Sequence, residues 1–406
     1  MKRLALPLLI TFGLLSICML MVVYPLSVWE SGVRGLSIWW EVLFPSLFPF
    51  FVISELLLGL GIVHFMGTLL HPFMRPIFRI PGTGGFVAAI SYASGYPVGA
   101  KLTAKLWEQK QITREEGERL VAFTTTSDPI FLIGAVSVGF FHMPALAGIL
   151  AIAHYGSGLI VGLLMRFHGP KDPLETNTEA LPEEGNRLKH AFHAMHQARE
   201  SDGRSLGQLV QQAIRSSLQL MTVVGGLVVF FSVILELFTE AGFMNGMYHW
   251  LEQVLLFLGL PTELSQSLVG GLFEVTLGAR YAGTLEGVPL IYKVAAAASI
   301  LSWGGLSVHA QVVSILNSTP LRYLPFMFAR AVHAILAAGI VFLCWNPIMN
   351  TVDTINWSGS SDSSSLLTGI HLLPSQLAIT MMLIGGLMLI TAVYVWIKQL
   401  TAKTQD

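Results

Sequence analysis

"ISYASGYPVGAK" (residues 90–101) sets Gly95, Pro97 and Gly99 into a chain that is otherwise apolar over long stretches. Hydrophobic residues fill 53% of the 406 positions and charged residues only 12%. That composition describes an integral membrane protein. A Gly/Pro-rich turn at membrane depth then has two readings. It is a re-entrant hairpin, buried in protein or lining a cavity, or its small residues simply let helices pack closely.

Apolar segments of the ~20 residues that cross a bilayer core run over 4–28, 36–63, 121–141, 145–166, 214–238, 292–316, 323–345 and 374–397. Lys and Arg concentrate in cytoplasmic loops, so their distribution orients the chain. Lys2 and Arg3 put the N-terminus inside, and Arg75 with Arg79 marks the return of the second helix. The next basic cluster, Lys101, Lys105, Lys110, Arg114 and Arg119, asks for the same side. The short piece 83–100 between the two clusters therefore enters and leaves on one face.

The second half repeats this order. "FPFFVISELLLGLGIVHFM" (48–66) is similar to "LVVFFSVILELFTEAGFMN" (227–245), "GGFVAAISYASGYPVGA" (84–100) to "GGLFEVTLGARYAG" (270–283), and "AIAHYGSGLIVGLLM" (151–165) to "RAVHAILAAGIVFLC" (330–344). His154 and His333 take equivalent places. Because the second unit starts inside where the first starts outside, the expected architecture is all-α and polytopic. It has about eight transmembrane helices and two re-entrant hairpins, 83–100 and 264–282, in an inverted-topology repeat. The parts are an anchor helix (1–35), a first repeat (36–166), a cytoplasmic linker (167–213), a second repeat (214–346), a Ser-rich exterior loop (347–373) and a last helix with its tail (374–406). Both termini are expected in the cytoplasm. His190, His193 and His196 in the linker have helical spacing, but no thiolate or carboxylate partners at a matching spacing make them a metal site.

Inverted repeats belong to secondary transporters, whose sites lie where discontinuous helices meet. Pro129 in "TTTSDP" (124–129) interrupts the third helix, and Gly304-Gly305 in "LSWGGLSVHAQ" (301–311) loosens its counterpart. The hydroxyls beside these breaks and the flat face of Trp303 are candidate ligand contacts, and the intramembrane acids Asp128 and Glu274 are functional candidates by default. Other roles compete. Asp128 can cap a helix, Arg280 can snorkel to the interface, and His154 and His333 can be packing residues with one satisfied nitrogen.

A net charge of −1 offers no basic surface to nucleic acid. Cys18 and Cys344 lie in separate apolar segments and form neither a disulfide framework nor a zinc motif. The chain has no G-x-S-x-G, no H-E-x-x-H and no G-x-x-x-x-G-K-[ST], so neither an enzyme nor an ATP-driven pump is indicated, and no cofactor or metal is expected.

The runs "FPSLFPFFVISELL" (44–57), "SGYPVGAKLT" (94–103) and "SWGGLSVHAQ" (302–311) together resemble the YlbJ-type sporulation integral membrane proteins, which carry the nucleoside-recognition Gate domain. The resemblance covers nearly the whole chain. It implies a fold similar to concentrative nucleoside transporters and a family role in moving dipicolinic acid from the mother cell across the outer forespore membrane, for spore formation. By that analogy Ser94, Gly95, Tyr96 and Gly99 belong to the first hairpin, Thr125, Ser127 and Asp128 to the first broken helix, and Glu274, with Arg280 beyond it, to the second hairpin. Ser302, Trp303, Gly304 and Ser307 belong to the second break. The nucleoside carriers' own ribose- and base-binding motifs are not found here. The expected partners are a small-molecule anion and the lipid bilayer, with a homo-oligomer left open and the coupling ion, proton or sodium, unassigned. The alternatives are a non-transporting sporulation scaffold, or a carrier of another small anion or nucleoside-like solute.

Overall fold

The computed structural model describes residues 2–169 and 187–353, and every described secondary-structure element is helical. The expected Ser-rich loop (347–373) begins as the end of a helix that runs to Asp353; its remainder, the last helix and the tail lie outside the described residues, as does part of the linker.

Helices α1 (Lys2–Val23), α2 (Pro25–Ser37), α3 (Phe44–Gly59) and α4 (Ile62–Phe73) lead into a hairpin of α5 (Gly84–Ser94) and α6 (Val98–Glu108). Then come α7 (Arg114–Thr124), a π-wound segment Phe131–Phe140, and α8 (Leu146–Met165). After α9 (Arg187–Asp202), α10 (Leu206–Glu240) and α11 (Phe243–Phe257) precede a second hairpin, α12 (Leu264–Phe273) and α13 (Val275–Thr284). The chain continues with α14 (Leu290–Trp303), α15 (Gly305–Leu316) and α16 (Tyr323–Asp353). Among the described residues five helical stretches are long and apolar enough to cross a membrane: Pro25–Gly59, Leu146–Met165, Leu206–Glu240, Leu290–Leu316 and Tyr323–Met349.

The repeat seen in the sequence recurs in local backbone. His154 and His333 are 179 residues apart, and a nearly equal offset relates Gly61 to Gly242. Both glycines start a helix in the left-handed region, at φ 81°, ψ 10° and φ 78°, ψ 0°. Each turns the chain sharply between two apolar helices, so the two units share their first corner.

Helix formation begins inside the stretch expected as linker (167–213). α10 begins at Leu206, where Ser205 and Gln208 form a reciprocal cap that satisfies two free N–H groups. The linker also contributes structure: α9 lies along α4, with Ala191 buried, the Phe192 ring 5.0 Å from Phe65, and the Met195 carbonyl against Gly61. Its His190, His193 and His196 face outward, and no group of three His, Cys, Asp or Glu side chains gathers among the described residues.

The largest apolar core joins both repeats. Leu132, Ala135, Val136, Leu146, Ile149 and Leu150 from the first pack with Val294, Ala297, Ala298, Leu301 and Ala337 from the second. The run of alanines on α14 is the reason α16 can lie close against it, since small side chains bring helix axes together.

Candidate functional site

The site is built from four interruptions. Gly95 ends α5 at φ 71°, ψ −168°, a conformation reserved for glycine, and leads through Tyr96 and Pro97 into α6. α7 stops at Thr124, Thr125 turns to extended geometry, residues 125–128 are non-helical, and Pro129 starts the next helix. Glu274 separates α12 from α13 in β geometry, and Gly304 (φ 90°) with Gly305 (φ 66°) separates α14 from α15.

Each interruption frees backbone groups that lipid cannot satisfy, and side chains from elsewhere in the fold take them up. Pro129 has no N–H, so the Thr125 carbonyl lacks its helical donor. Arg330 of α16 supplies one, its Nη1 donating at 2.5 Å. The same guanidinium reaches the second break, where Nη2 donates to the Leu301 carbonyl and Nε to the Trp303 carbonyl, both at 3.4 Å. The Tyr96 hydroxyl also donates to the Leu301 carbonyl, at 2.9 Å. Arg330 is thus a fully buried cation at the C-terminal ends of two half-helices, where their partial negative charge favours it.

The freed N–H groups find acceptors as well. Asp128 Oδ1 accepts from Ile130 N at 3.0 Å and Phe131 N at 2.8 Å, with Pro129 at the first helical position. Glu274 Oε2 accepts from Leu277 N at 3.0 Å, and its Oε1 accepts from the Thr276 hydroxyl at 3.3 Å. Both intramembrane acids therefore cap helix N-termini, which is the competing role the sequence offered for Asp128.

The two acids share a second property. A Cβ on Gly95 would sit 2.9 Å from Asp128 Oδ2, and one on Gly305 would sit 3.0 Å from the Phe273 carbonyl and 3.2 Å from Glu274 Cα. In the first unit the hairpin supplies the glycine and the broken helix the acid. In the second unit those roles are exchanged.

His154 joins the halves. The Ser127 N–H donates to its Nε2 at 3.1 Å, so that nitrogen carries no proton, and the Thr126 hydroxyl lies 2.8 Å from it. Nδ1–H is then the donor to Ser302 Oγ, 2.8 Å away. His333 stacks on His154 with ring centroids 5.1 Å apart and donates from Nε2 to the His154 carbonyl at 2.8 Å. The expectation of a packing histidine with one satisfied nitrogen describes His333, but His154 uses both nitrogens because it bridges two breaks.

Most of the expected residues meet here. Ser94, Gly95, Tyr96, Gly99, Thr125, Ser127, Asp128, Glu274, Ser302, Trp303 and Gly304 form or flank the breaks. Ser307 is buried on the first turn of α15, and its carbonyl accepts from Gln311. Gly99 belongs through packing: a Cβ there would lie 2.8 Å from both the Ser91 and Thr124 hydroxyls. Trp303 donates to the Leu272 carbonyl at 3.3 Å and stacks against His309, centroids 4.3 Å apart. A cavity of about 140 Å³ opens beside it, lined by Leu268, Gly271, Leu272, Ser299, Ile300 and Ala334. Arg280 stands apart, half-buried farther along α13, and the junction's hydrogen bonds do not include it. Sequence reading passed over Arg330, which was quoted only as the start of a repeat. Its signal was available: an arginine inside an apolar span.

Some polar atoms remain unused. Ser94 Oγ, Ser127 Oγ, the Tyr92 hydroxyl and His333 Nδ1 are buried without a hydrogen-bond partner.

A separate polar knot ties the repeats at one end. Glu118 of α7 is buried and accepts from Arg322 N at 3.0 Å, Nε at 2.8 Å and Nη2 at 2.9 Å, while His168 Nε2 lies 2.5 Å from its other face. Burial pushes the carboxyl up, but these bonds outweigh it and hold the pKa at about 2. Arg119, one of the basic cluster that oriented the chain, is buried and donates to the His168 and Arg79 carbonyls.

Known proteins resemble this chain at several levels. The Gate family, described as nucleoside recognition, matches residues 40–175. Sporulation integral membrane protein YlbJ of Bacillus subtilis is 45% identical over 326 residues, covering 80% of this chain and 79% of that one. An uncharacterized protein of Alkalihalophilus pseudofirmus is 26% identical over 166 residues, 40% of this chain and 34% of its own. A solved structure described as CNTnw in an inward-facing substrate-bound state aligns with a TM-score of 0.44 at 13% identity, over 80% of this chain and 85% of that one.

Proposed function

The chain belongs to the family of the sporulation integral membrane protein YlbJ, and from that premise we propose that it carries a small aromatic dicarboxylate across a membrane. The substrate to test first is dipicolinic acid, moved from the mother cell across the outer forespore membrane. The observation that carries this reading is the junction itself. Four interruptions converge in one buried place, and a protein that only had to span lipid gains nothing from breaking its helices there.

The chemistry at the junction supports an anion. Asp128 and Glu274 spend their charge on helix N-termini. Arg330 is held by one short contact and two long ones of 3.4 Å, and the long ones are those a substrate carboxylate replaces most readily. The unpartnered Ser94, Ser127 and Tyr92 hydroxyls offer neutral donors, and Trp303 offers a face for an aromatic ring.

Uptake of labelled dipicolinate into proteoliposomes containing only this protein tests the proposal. Saturable flux, competed by unlabelled dipicolinate and not by nucleosides, is the expected result. Flux of a nucleoside or another anion in its place moves the substrate class. No flux of any of them, with the protein inserted and folded, overturns the carrier reading in favour of a scaffold.

A further inference from the structure

A slot of about 400 Å³ runs between the end of α8 and the start of α16, and none of the residues at the breaks lines it. On α8 its wall is formed by Val161, Leu164 and Met165, and on α16 by Phe328, Ala329 and Val332. Along α16 the lining runs from Leu324 to Val332, about 12 Å or two turns, and along α8 from Val161 to Met165, about one turn. It is apolar along its length and closes at one end on His168 and Arg322.

That end is built. Glu118 holds His168 and two of the nitrogens of Arg322, which fixes both side chains in place, while half of the Arg322 side chain remains exposed. Nη1 has no bond to Glu118, and the Glu118 carboxylate itself is fully covered. The charged group exposed at that end of the slot is the Arg322 guanidinium, with Glu118 covered beneath it and Glu115 the other acid that acts on it. An apolar channel between two membrane helices with a cation at its basic end matches one kind of occupant: a hydrocarbon chain carrying a negative headgroup.

We propose that this slot seats one anionic phospholipid, with an acyl chain along Val161, Met165, Ala329 and Val332 and its phosphate against Arg322 and His168. The seat joins α8 of the first repeat to α16 of the second beside the Glu118 knot, so an occupied slot braces the same contact that the ion pair makes.

The full chain, purified in detergent and stripped of lipid, is titrated with phosphatidylglycerol and separately with phosphatidylcholine. Bound lipid is counted by native mass spectrometry and thermal stability is followed in parallel. The expected result is one retained phosphatidylglycerol per chain, bound about tenfold more tightly than phosphatidylcholine, and a raised melting temperature. Val332→Trp, which fills the slot from a lipid-facing position, is expected to abolish retention while melting like the parent without lipid. Leu324→Trp, at an exposed position of the lining, is expected to weaken retention and gives a second reading if the Val332 variant does not fold. Equal retention of phosphatidylcholine overturns the headgroup assignment, and an equal stabilisation by inorganic phosphate alone overturns the acyl seat. Unchanged retention in both variants, or no retained lipid in the parental chain, overturns the proposal as a whole.

Discussion

His154 Nδ1 and Ser302 Oγ lie 2.8 Å apart across 148 residues of sequence, and this contact joins α8 of one repeat, which holds the first break through Thr126 and Ser127, to the broken helix of the other. Its strength is measurable by a double-mutant cycle on the purified protein. His154→Ala, Ser302→Ala and the pair should be non-additive, with a coupling of about 0.5–2 kcal/mol. His154→Ala alone should be the more damaging single change, because it also strands the Ser127 N–H. Additive losses would remove the contact from the account.

Two glycines test the exchange of roles between hairpin and broken helix. Gly95→Ala and Gly305→Ala each place a Cβ within 3.0 Å of an oxygen at positive φ, so both should cost more than the ~1–3 kcal/mol of their positive-φ geometry alone. Gly287→Ala has positive φ but open space around it and should show the geometric cost only. Equal melting temperatures for all three variants would mean that neither glycine packs against its acid.

Glu118 predicts a pH dependence. Its carboxyl titrates at about 2 in the folded chain, below the ~4.3 of an unperturbed glutamate. A depressed folded value stabilises above the unfolded one, and that contribution disappears as pH falls from about 4 toward 2. Glu118→Gln should therefore lower the melting temperature at pH 7, and the difference from the parent should shrink as the pH is brought down to 3. A difference that is constant with pH would assign the effect to packing.

Ser127 separates ligand contact from structural repair. Its buried hydroxyl has no partner, so Ser127→Ala should leave stability within about 0.5 kcal/mol of the parent. If a substrate carboxylate uses the hydroxyl, the same change should reduce transport affinity by about ten- to a hundredfold. Trp303→Ala should also reduce it, while the exposed Ser318→Ala should be silent. Parental transport by Ser127→Ala below the apparent KM would take Ser127 out of the site.

Arg330→Lys keeps the charge and loses the fork. A lysine cannot reach the Thr125, Leu301 and Trp303 carbonyls together, so the variant should melt well below the parent although it remains inserted. Parental stability would mean that the carbonyls at the breaks need no common donor.

Sequence alone determined the class, the repeat and the places where helices break. Those are local or periodic properties: uninterrupted apolar length, the recurrence of His154 and His333 at equivalent places, and the missing N–H of Pro129. It also offered both roles for Asp128. Only the tertiary structure decided between them, because whether a carboxylate caps a helix depends on which N–H groups it meets. The packing of α8 and α16 against the breaks likewise decided that His154 uses both nitrogens and that Arg330 serves two half-helices at once. A broken helix announces itself in the residues that break it, but the donors and acceptors that make the break tolerable in lipid come from distant segments, and folding alone brings them within reach.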